Sequence, residues 1–258
     1  MNTKKLIINA DDFGHTMGTS YGIIESHLRG VVSSTTALTV SPYFIPSMVA
    51  AKALAPTLPI GVHLALTLKG AKPVLPPHIV PSLVNEAGYF WPRKEFATNV
   101  VPQQVYMEFE AQILRFLESG FYPTHLDSHH FVHGGTSEIL KVTVDLAKKF
   151  KLPLRHPLKG ATELAEKYPE QKTTCAMFYD FYDEGVTLSN FIALLDRVVN
   201  SEDEIFELCC HPGFIDPDIL KLTDYSQTRI TELEILTSDE AKAAIAERNI
   251  VLTDFRAI

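Results

Sequence analysis

Leu6-Ile-Ile-Asn-Ala-Asp-Asp-Phe-Gly14 is an apolar run that stops at two adjacent carboxylates and a glycine. A run this short and apolar reads as a buried strand. Side chains alternate between the faces of a strand, so Asp11 and Asp12 point apart if the strand continues through them. Placing them at the strand's end, where the chain turns, lets both reach one site. Two like charges held together repel unless a cation sits on one of them or a proton is shared. The opening stretch therefore predicts a bound cation or a shared proton, and the rest of the chain is read for other ligands such a cation would need.

Working outward, short apolar runs alternate with longer helical patterns. Met17 to Leu28 reads as a helix stopped by Gly30, and Val31 to Val40 as a second strand. A helix over Ile45 to Leu54 leads to a third strand, Ile60 to Leu66, which contains His63. Residues 69 to 102 break the rhythm, with prolines at 73, 76, 77, 81, 92 and 102 around Tyr89, Phe90 and Trp91. A long irregular stretch of this kind is expected to be an insertion or lid. Gln104 to Glu118 returns to helical period. Pro123 to His130 reads as a fourth strand, Ser137 to Phe150 as a helix, and Leu152 to Arg155 and Thr173 to Phe178 as further strands. A helix over Leu188 to Val199 precedes a late strand, Ile205 to His211. Helical material from Glu232 to Arg248, with Ser238 as an N-cap, leads to a last strand at Ile250 to Phe255.

About seven or eight strands interleaved with helices predict an α/β fold with a mainly parallel sheet, an irregular, TIM-like (β/α) barrel. Asp11 and Asp12, His63, His129 and His211 all fall at or near C-terminal strand ends, which in such a barrel converge on one mouth. An open doubly wound sheet would also place ligands at strand ends, but the first βα turn has no Gly-x-Gly-x-x-Gly pattern for a dinucleotide. No repeat or linker divides residues 1–258, so one domain is expected.

Composition narrows the function. The 258 residues are 46% hydrophobic, enough for a substantial core, and 23 basic against 31 acidic residues leave a formal charge of −8. That balance argues against nucleic acid or an anionic membrane as partner. Cys175, Cys209 and Cys210 make no disulfide framework, and the apolar run after Lys4 and Lys5 is too short for a signal sequence. A cytoplasmic location is expected.

His125, Asp127 and His129 occupy alternate positions and share one face if they lie on one strand. Taken singly, His63 looks like a satisfied core histidine, and the Asp-Asp pair like a turn or N-cap. The histidines from 125 to 133 resist that explanation, because each buried polar group needs a partner. One carboxylate from Asp11 or Asp12, His63 and one strand-end histidine form a two-His, one-carboxylate set for a divalent ion. The other aspartate is left free to act as a base.

Asn9-Ala-Asp-Asp-Phe-Gly14, Gly61-Val-His-Leu64, Thr124-His-Leu-Asp-Ser-His-His130 with Val132-His133, and Cys210-His-Pro-Gly-Phe214 together resemble the YdjC-like carbohydrate deacetylases. The chitooligosaccharide (diacetylchitobiose) deacetylase branch is the most similar, and the resemblance spans nearly the whole chain. It implies an irregular (β/α) barrel that hydrolyses N-acetyl groups from small sugars, in oligosaccharide degradation. The metal ligands it implies are Asp12, His63 and His129. Asp11 is implied as general base, with His211 as general acid or oxyanion stabiliser. His125 and Asp127 are candidates to orient ligands by hydrogen bonds, and Tyr89, Phe90 and Trp91 to form a platform for a sugar ring. The family is commonly assigned Mg2+, whereas two imidazoles suit Zn2+ or another transition metal better. A homodimer is the family-level expectation. Phe131 stands where the branch tends to carry another histidine, and it faces the same way as His129 if the strand continues.

Overall fold

The computed structural model describes residues 3–96 and 100–258. In chain order its elements are β1 (Lys5–Phe13), α1 (Met17–Arg29), β2 (Ser34–Ala37), α2 (Phe44–Leu54), β3 (Ile60–Leu64), α3 (Pro102–Glu118), β4 (Leu126–Ser128) and α4 (Ser137–Phe150). They continue as α5 (Ala161–Lys167), β5 (Ala176–Phe178), α6 (Leu188–Asn200), β6 (Ile205–Cys210), α7 (Ile219–Leu222), α8 (Gln227–Thr237), α9 (Asp239–Glu247) and β7 (Val251–Leu252). All strand pairings are parallel, in the order β4-β3-β2-β1-β6-β5. β1 is central and almost entirely buried, as a near-continuous apolar run between two parallel neighbours should be. The two-residue β7 pairs with Lys5 and Leu6, before β2 begins beside Asn9.

The expected irregular barrel of about seven or eight mainly parallel strands holds in part: seven strands form one parallel sheet, but it is a half-barrel whose continuous path has six of them rather than a closed barrel. The expected strand at Leu152 to Arg155 contributes one bridge, Leu126 to Leu154, and the expected last strand shrinks to Val251–Leu252. Between β4 and β5 the crossing is made by three hydrogen bonds of 2.9 Å: Leu126 N to Pro153 O and Arg155 N to Leu126 O on the β4 side, and Leu154 N to Lys172 O beyond. Pro153 lies within that segment and Pro157 just after it; proline has no N–H for a ladder, which explains why no regular strand forms there.

The helices follow their sequence signals. Thr16 caps α1 by accepting from Thr19 N, Gly30 ends it, and Ser238 caps α9 by accepting from Ala241 N. Residues 69 to 96 lack long elements yet pack inward: Val80, Leu83 and Phe90 are buried. Buried Glu108 of α3 accepts from Val74 N at 2.9 Å and Leu75 N at 3.0 Å. The expected insertion at 69–102 includes residues 97–99, which lie outside the described residues.

Candidate active site

The bend in β1 resolves the problem of the two aspartates. Pairing with β2 shifts register between Ala10 and Phe13, and Asp12 takes a left-handed φ of 70°. One residue out of step cancels the strand's alternation, so neighbouring side chains turn to the same side. His63 Nε2 accordingly lies 4.0 Å from Asp11 Oδ2 and 3.5 Å from Asp12 Oδ1. Asp12 departs from the usual preference for negative φ; aspartate is among the few residues that tolerate it.

β3 delivers His63 and β4 delivers Asp127 beside it. Asp127 Oδ1 sits 2.7 Å from His63 Nδ1, which fixes the ring so that Nε2 faces the aspartates. Thr36 of β2 donates to Asp127 Oδ2 at 2.8 Å and holds that carboxylate in place. His129 arrives differently from the sequence expectation. β4 ends at Ser128, and a tight turn over His129–Gly134 carries His129 Nδ1 to 3.1 Å from Asp12 Oδ1. His130 and Phe131 have φ of 57° and 56°, so the strand does not continue and Phe131 does not face with His129. Its ring instead meets Tyr179 edge-on and lies 5.9 Å from the Arg155 guanidinium.

Asp12, His63 and His129 therefore form a group whose donor atoms all lie within 4.8 Å of one another. Two donors each about 2.0–2.2 Å from one ion, at tetrahedral to octahedral angles, are separated by about 2.8–3.6 Å. The spacings of 3.1 and 3.5 Å about Asp12 Oδ1 match that geometry. Charge agrees with it. Burial pushes the His63 pKa down, but Asp127 and Asp11 outweigh it and raise it to about 9. A field that holds a proton on Nε2 will also hold a cation there. Two other groups, Asp11 with Cys209 and His211, and Asp11 with His63 and Asp127, are as closely spaced. They fit an ion less well. Burial drives the Cys209 thiol well above its usual range, and Arg155 already occupies Asp11 and Asp127.

Arg155, fully buried, is a residue that sequence reasoning passed over. Its Nη1 and Nη2 each donate to Asp11 at 2.6 Å, Nη1 also lies 2.8 Å from Asp127, and Nε donates to Glu207 at 2.6 Å. Burial alone would raise the Asp11 pKa; the Arg155 charge and hydrogen bonds overturn that and hold the carboxyl well below its usual range. Asn9 Nδ2 and Cys209 Sγ also donate to Asp11. Arg229 does the same for Asp12, donating to Oδ2 at 2.6 Å, and helps His129 to overcome the burial that would raise its pKa. Glu207, Glu232 and His15 were likewise missed. A charged residue inside an apolar strand was the available signal for Arg155 and Glu207, since a buried charge requires a counter-charge.

His211 stands just past β6 beside Asp11, and its backbone N donates to Glu232 Oε2. Burial, stronger than the pull of Asp11 and Asp12, lowers its pKa to about 4, so the ring is neutral at pH 7. Among the described residues His125 makes no hydrogen bond to Asp12, His63 or His129, so the expected orienting role is not seen. Its ring stacks on Phe255 at 3.5 Å between centroids, and Nδ1 meets Thr124 Oγ1. Of the aromatic trio, Phe90 is buried and its ring is closed to any sugar. Tyr89 is exposed beneath Lys72, and Trp91 packs half-buried against the core.

Fold and site together define an α/β half-barrel with a carboxylate–imidazole cluster, spaced to hold a metal ion, at its strand ends. The chain belongs to the family described as YdjC-like protein, whose model matches residues 5–247. It is 50% identical over 260 residues to a carbohydrate deacetylase of Enterococcus faecalis, covering 100% of this chain and 99% of that one. A chitooligosaccharide deacetylase of Serratia marcescens is 39% identical over 260 residues, with 98% of each chain covered. A crystal structure from Enterococcus faecalis V583, described as a candidate cellobiose-phosphate cleavage protein, superimposes with a TM-score of 0.97 at 50% identity over 99% of both chains. An uncharacterized Agrobacterium tumefaciens protein shares the fold at a TM-score of 0.59 and 11% identity, over 100% of this chain and 89% of that one.

Proposed function

We propose that this chain is a carbohydrate deacetylase that hydrolyses N-acetyl groups on small sugars such as chitooligosaccharides, with a divalent ion on Asp12, His63 and His129. The observation that carries this reading is the convergence of those three side chains beside Asp11 and His211. Full-length similarity to named deacetylases supports it.

When bound, a divalent ion polarises the acetamide carbonyl and acidifies a water. Asp127 keeps His63 Nε2 turned to the site, and Arg229 takes up the second oxygen of Asp12. Asp11, ionised at neutral pH, accepts the proton that water loses as its oxygen attacks the carbonyl carbon. Four donors already surround the Asp11 carboxylate, so the proton displaces the weakest of them, the Cys209 thiol. A carboxyl this acidic gives its proton up readily. His211, neutral at rest and a close neighbour of Asp11, passes it to the amine nitrogen as the C–N bond breaks. Acetic acid and the amine result, and at neutral pH the acid's proton passes to the amine, leaving acetate and an ammonium group. His211 as acid and Asp11 as base thus share one proton. Tyr89 and Trp91 are the aromatic candidates for stacking on a sugar ring.

Two imidazoles favour Zn2+ or another transition metal over Mg2+ at this site. The three cysteines are unpaired thiols, which suits a reducing cytoplasm, and among the described residues no helix is long and apolar enough to cross a membrane. A homodimer is proposed from the apolar outer face of α1 and α2.

The test is acetate release across a panel of N- and O-acetylated sugars, before and after chelation, with Asp11→Asn beside the wild type. Acetate should appear from N-acetylated substrates, stop in chelator, and fall roughly 10²–10⁴-fold in the variant. Full activity in chelator, or cleavage of a phosphorylated cellobiose with no acetate released, would refute the proposal.

A further inference from the structure

Glu232 lies in α8 and is fully buried, a costly place for a carboxyl group unless its oxygens are bonded. One of its partners is the backbone of the acid in the proposed reaction: His211 N donates to Oε2. The other is the Tyr225 hydroxyl, which donates to Oε1. A carboxylate accepts about four hydrogen bonds, so Oε1 has capacity left, and the imidazole of His211 faces it. The His211 Nδ1 stands 4.0 Å from that oxygen, too far for a hydrogen bond at rest. Yet Nδ1 is buried and has no partner among the described residues. Catalytic hydrogen bonds are often long before substrate binds and tighten afterwards.

The rest of the ring is held by aromatic neighbours. Tyr225 and Tyr182 stack at 4.2 Å between centroids and 4° from parallel. The imidazole meets both edge-on, at 5.6 Å from Tyr225 and 5.5 Å from Tyr182. Glu232 fixes one wall of this cage through the Tyr225 hydroxyl. α8 thereby supports both halves of the site from one face. Arg229 donates to Asp12 Oδ2 at 2.6 Å, and Glu232, three residues on, holds His211. With Nδ1 turned to Glu232, the opposite nitrogen, Nε2, is the one left toward Asp11.

We infer that Glu232 is a positioning residue for His211, fixing its imidazole as the Nδ1–H tautomer so that Nε2 is bare and takes up a proton. Which nitrogen of a neutral imidazole carries the proton is set by the acceptor beside it. A bare Nε2 is what the transfer needs. The Asp11 O–H breaks as Nε2–H forms, and that N–H breaks in turn as the amine N–H forms. Glu232 neither gains nor loses a proton in these steps and touches no substrate. The inference rests on the deacetylase reading above and adds to it the group that sets the tautomer of its acid.

The experiment reads the ring directly, by nitrogen NMR of the zinc-loaded protein, with the His211 signal assigned as the one that His211→Gln lacks. It is run at about pH 9, above the pKa of about 8 to which burial raises Glu232, so that a carboxylate is compared with the amide of Glu232→Gln. Wild type should show Nδ1 protonated and Nε2 bare. In Glu232→Gln the amide nitrogen can donate to Nδ1, and the ring proton should move to Nε2. At the same pH, kcat for acetate release from N,N′-diacetylchitobiose should fall roughly 10²-fold, with KM changed less than about threefold. Tyr225→Phe removes only a hydroxyl, so it keeps the test open if Glu232→Gln does not fold; its kcat should fall about three- to tenfold. An Nε2–H tautomer in the wild type, or the same tautomer in wild type and Glu232→Gln, would overturn the inference. So would acetate release with a kcat that neither variant lowers. Absence of acetate from every sugar, with the tautomer shifting as expected, would instead overturn the deacetylase reading.

Discussion

A single guanidinium holds the floor of this site. Arg155 carries one positive charge against Asp11, Asp127 and Glu207, all buried. The first two take its bidentate end. Glu207 shares only Nε, and its other oxygen has no partner among the described residues. Burial, with Asp11 and Asp127 adding to it and Arg155 only partly opposing, raises the Glu207 pKa from 4.5 to about 7. The sign of the consequence follows. A carboxyl raised in the folded state binds its proton more tightly when folded, so its contribution is fully present below pH 4.5 and is lost as pH rises through 7. Asp11 and Asp12 are depressed, so their contribution is lost only as pH falls below about 3.8, outside that window. Glu207→Gln should therefore remove a loss of stability on the order of 3 kcal/mol between pH 4.5 and 7, while Glu232 and the buried histidines titrate alike in both proteins. Urea unfolding midpoints of both proteins across that range measure the difference. Identical slopes would mean that Glu207 is ionised in the folded protein at pH 5.

At the scale of elements, what could be read from sequence divides by range. The apolar runs and caps that set β1, β3, α1 and α4 are local signals, and these elements stand where periodicity placed them, within a few residues. The gathering of Asp12, His63 and His129 was legible because each sits at a strand end. The bulge that turns both aspartates inward was not, since register depends on the partner strand β2. Nor was the turn at His129, which needs left-handed backbone at His130 and Phe131, two residues with no glycine to announce it. The hold of Arg155 on Asp11 and of Arg229 on Asp12 was hidden for the same reason: those pairs are 144 and 217 residues apart in sequence.

The stretch after β3 was expected to be an irregular insertion or lid, and Glu108 is what ties its first part to α3. That carboxylate accepts two backbone N–H groups, Val74 and Leu75, and a third bond from Gln112, while Gln112 also clasps both polar atoms of the Ala65 backbone. Hydrogen bonds to charged groups contribute about 1.5–3 kcal/mol each. Glu108→Ala should accordingly speed amide exchange at Val74 and Leu75 by roughly tenfold or more, and leave α1 unaffected. Exchange read by mass spectrometry on peptides spanning 69–84 tests this. Unchanged protection there would show that Val80 and Leu83, packed into the core, hold the segment without the clamp.

Considered as a whole molecule, the chain wraps its half-barrel in helices, and most of these are amphipathic, with a polar outer face. α2 carries more apolar surface outward. Its inner face buries Phe44, Met48 and Ala51, as expected, but its outer face presents Ile45 at 48% and Val49 at 63% exposure, four residues apart on one stripe. Ala53, exposed four residues on, extends the stripe, and on the adjacent α1 Tyr21 and Leu28 are also exposed, seven residues apart. A helix apolar all round belongs in an interior, and contiguous exposed apolar surface on one side marks a contact site. Two copies meeting through this face in a twofold arrangement would bury the stripe against itself, which satisfies it without any other partner. The acidic net charge of −8 repels unlike an interface should, so the contact must come from the apolar stripe rather than from charge. Sedimentation equilibrium should then give twice the chain mass for the wild type at micromolar concentration. Val49→Glu should give the single-chain mass with the circular dichroism of the wild type, because the side chain it replaces supports nothing inside the fold. A wild type that sediments as a monomer would remove the dimer and leave the stripe unexplained.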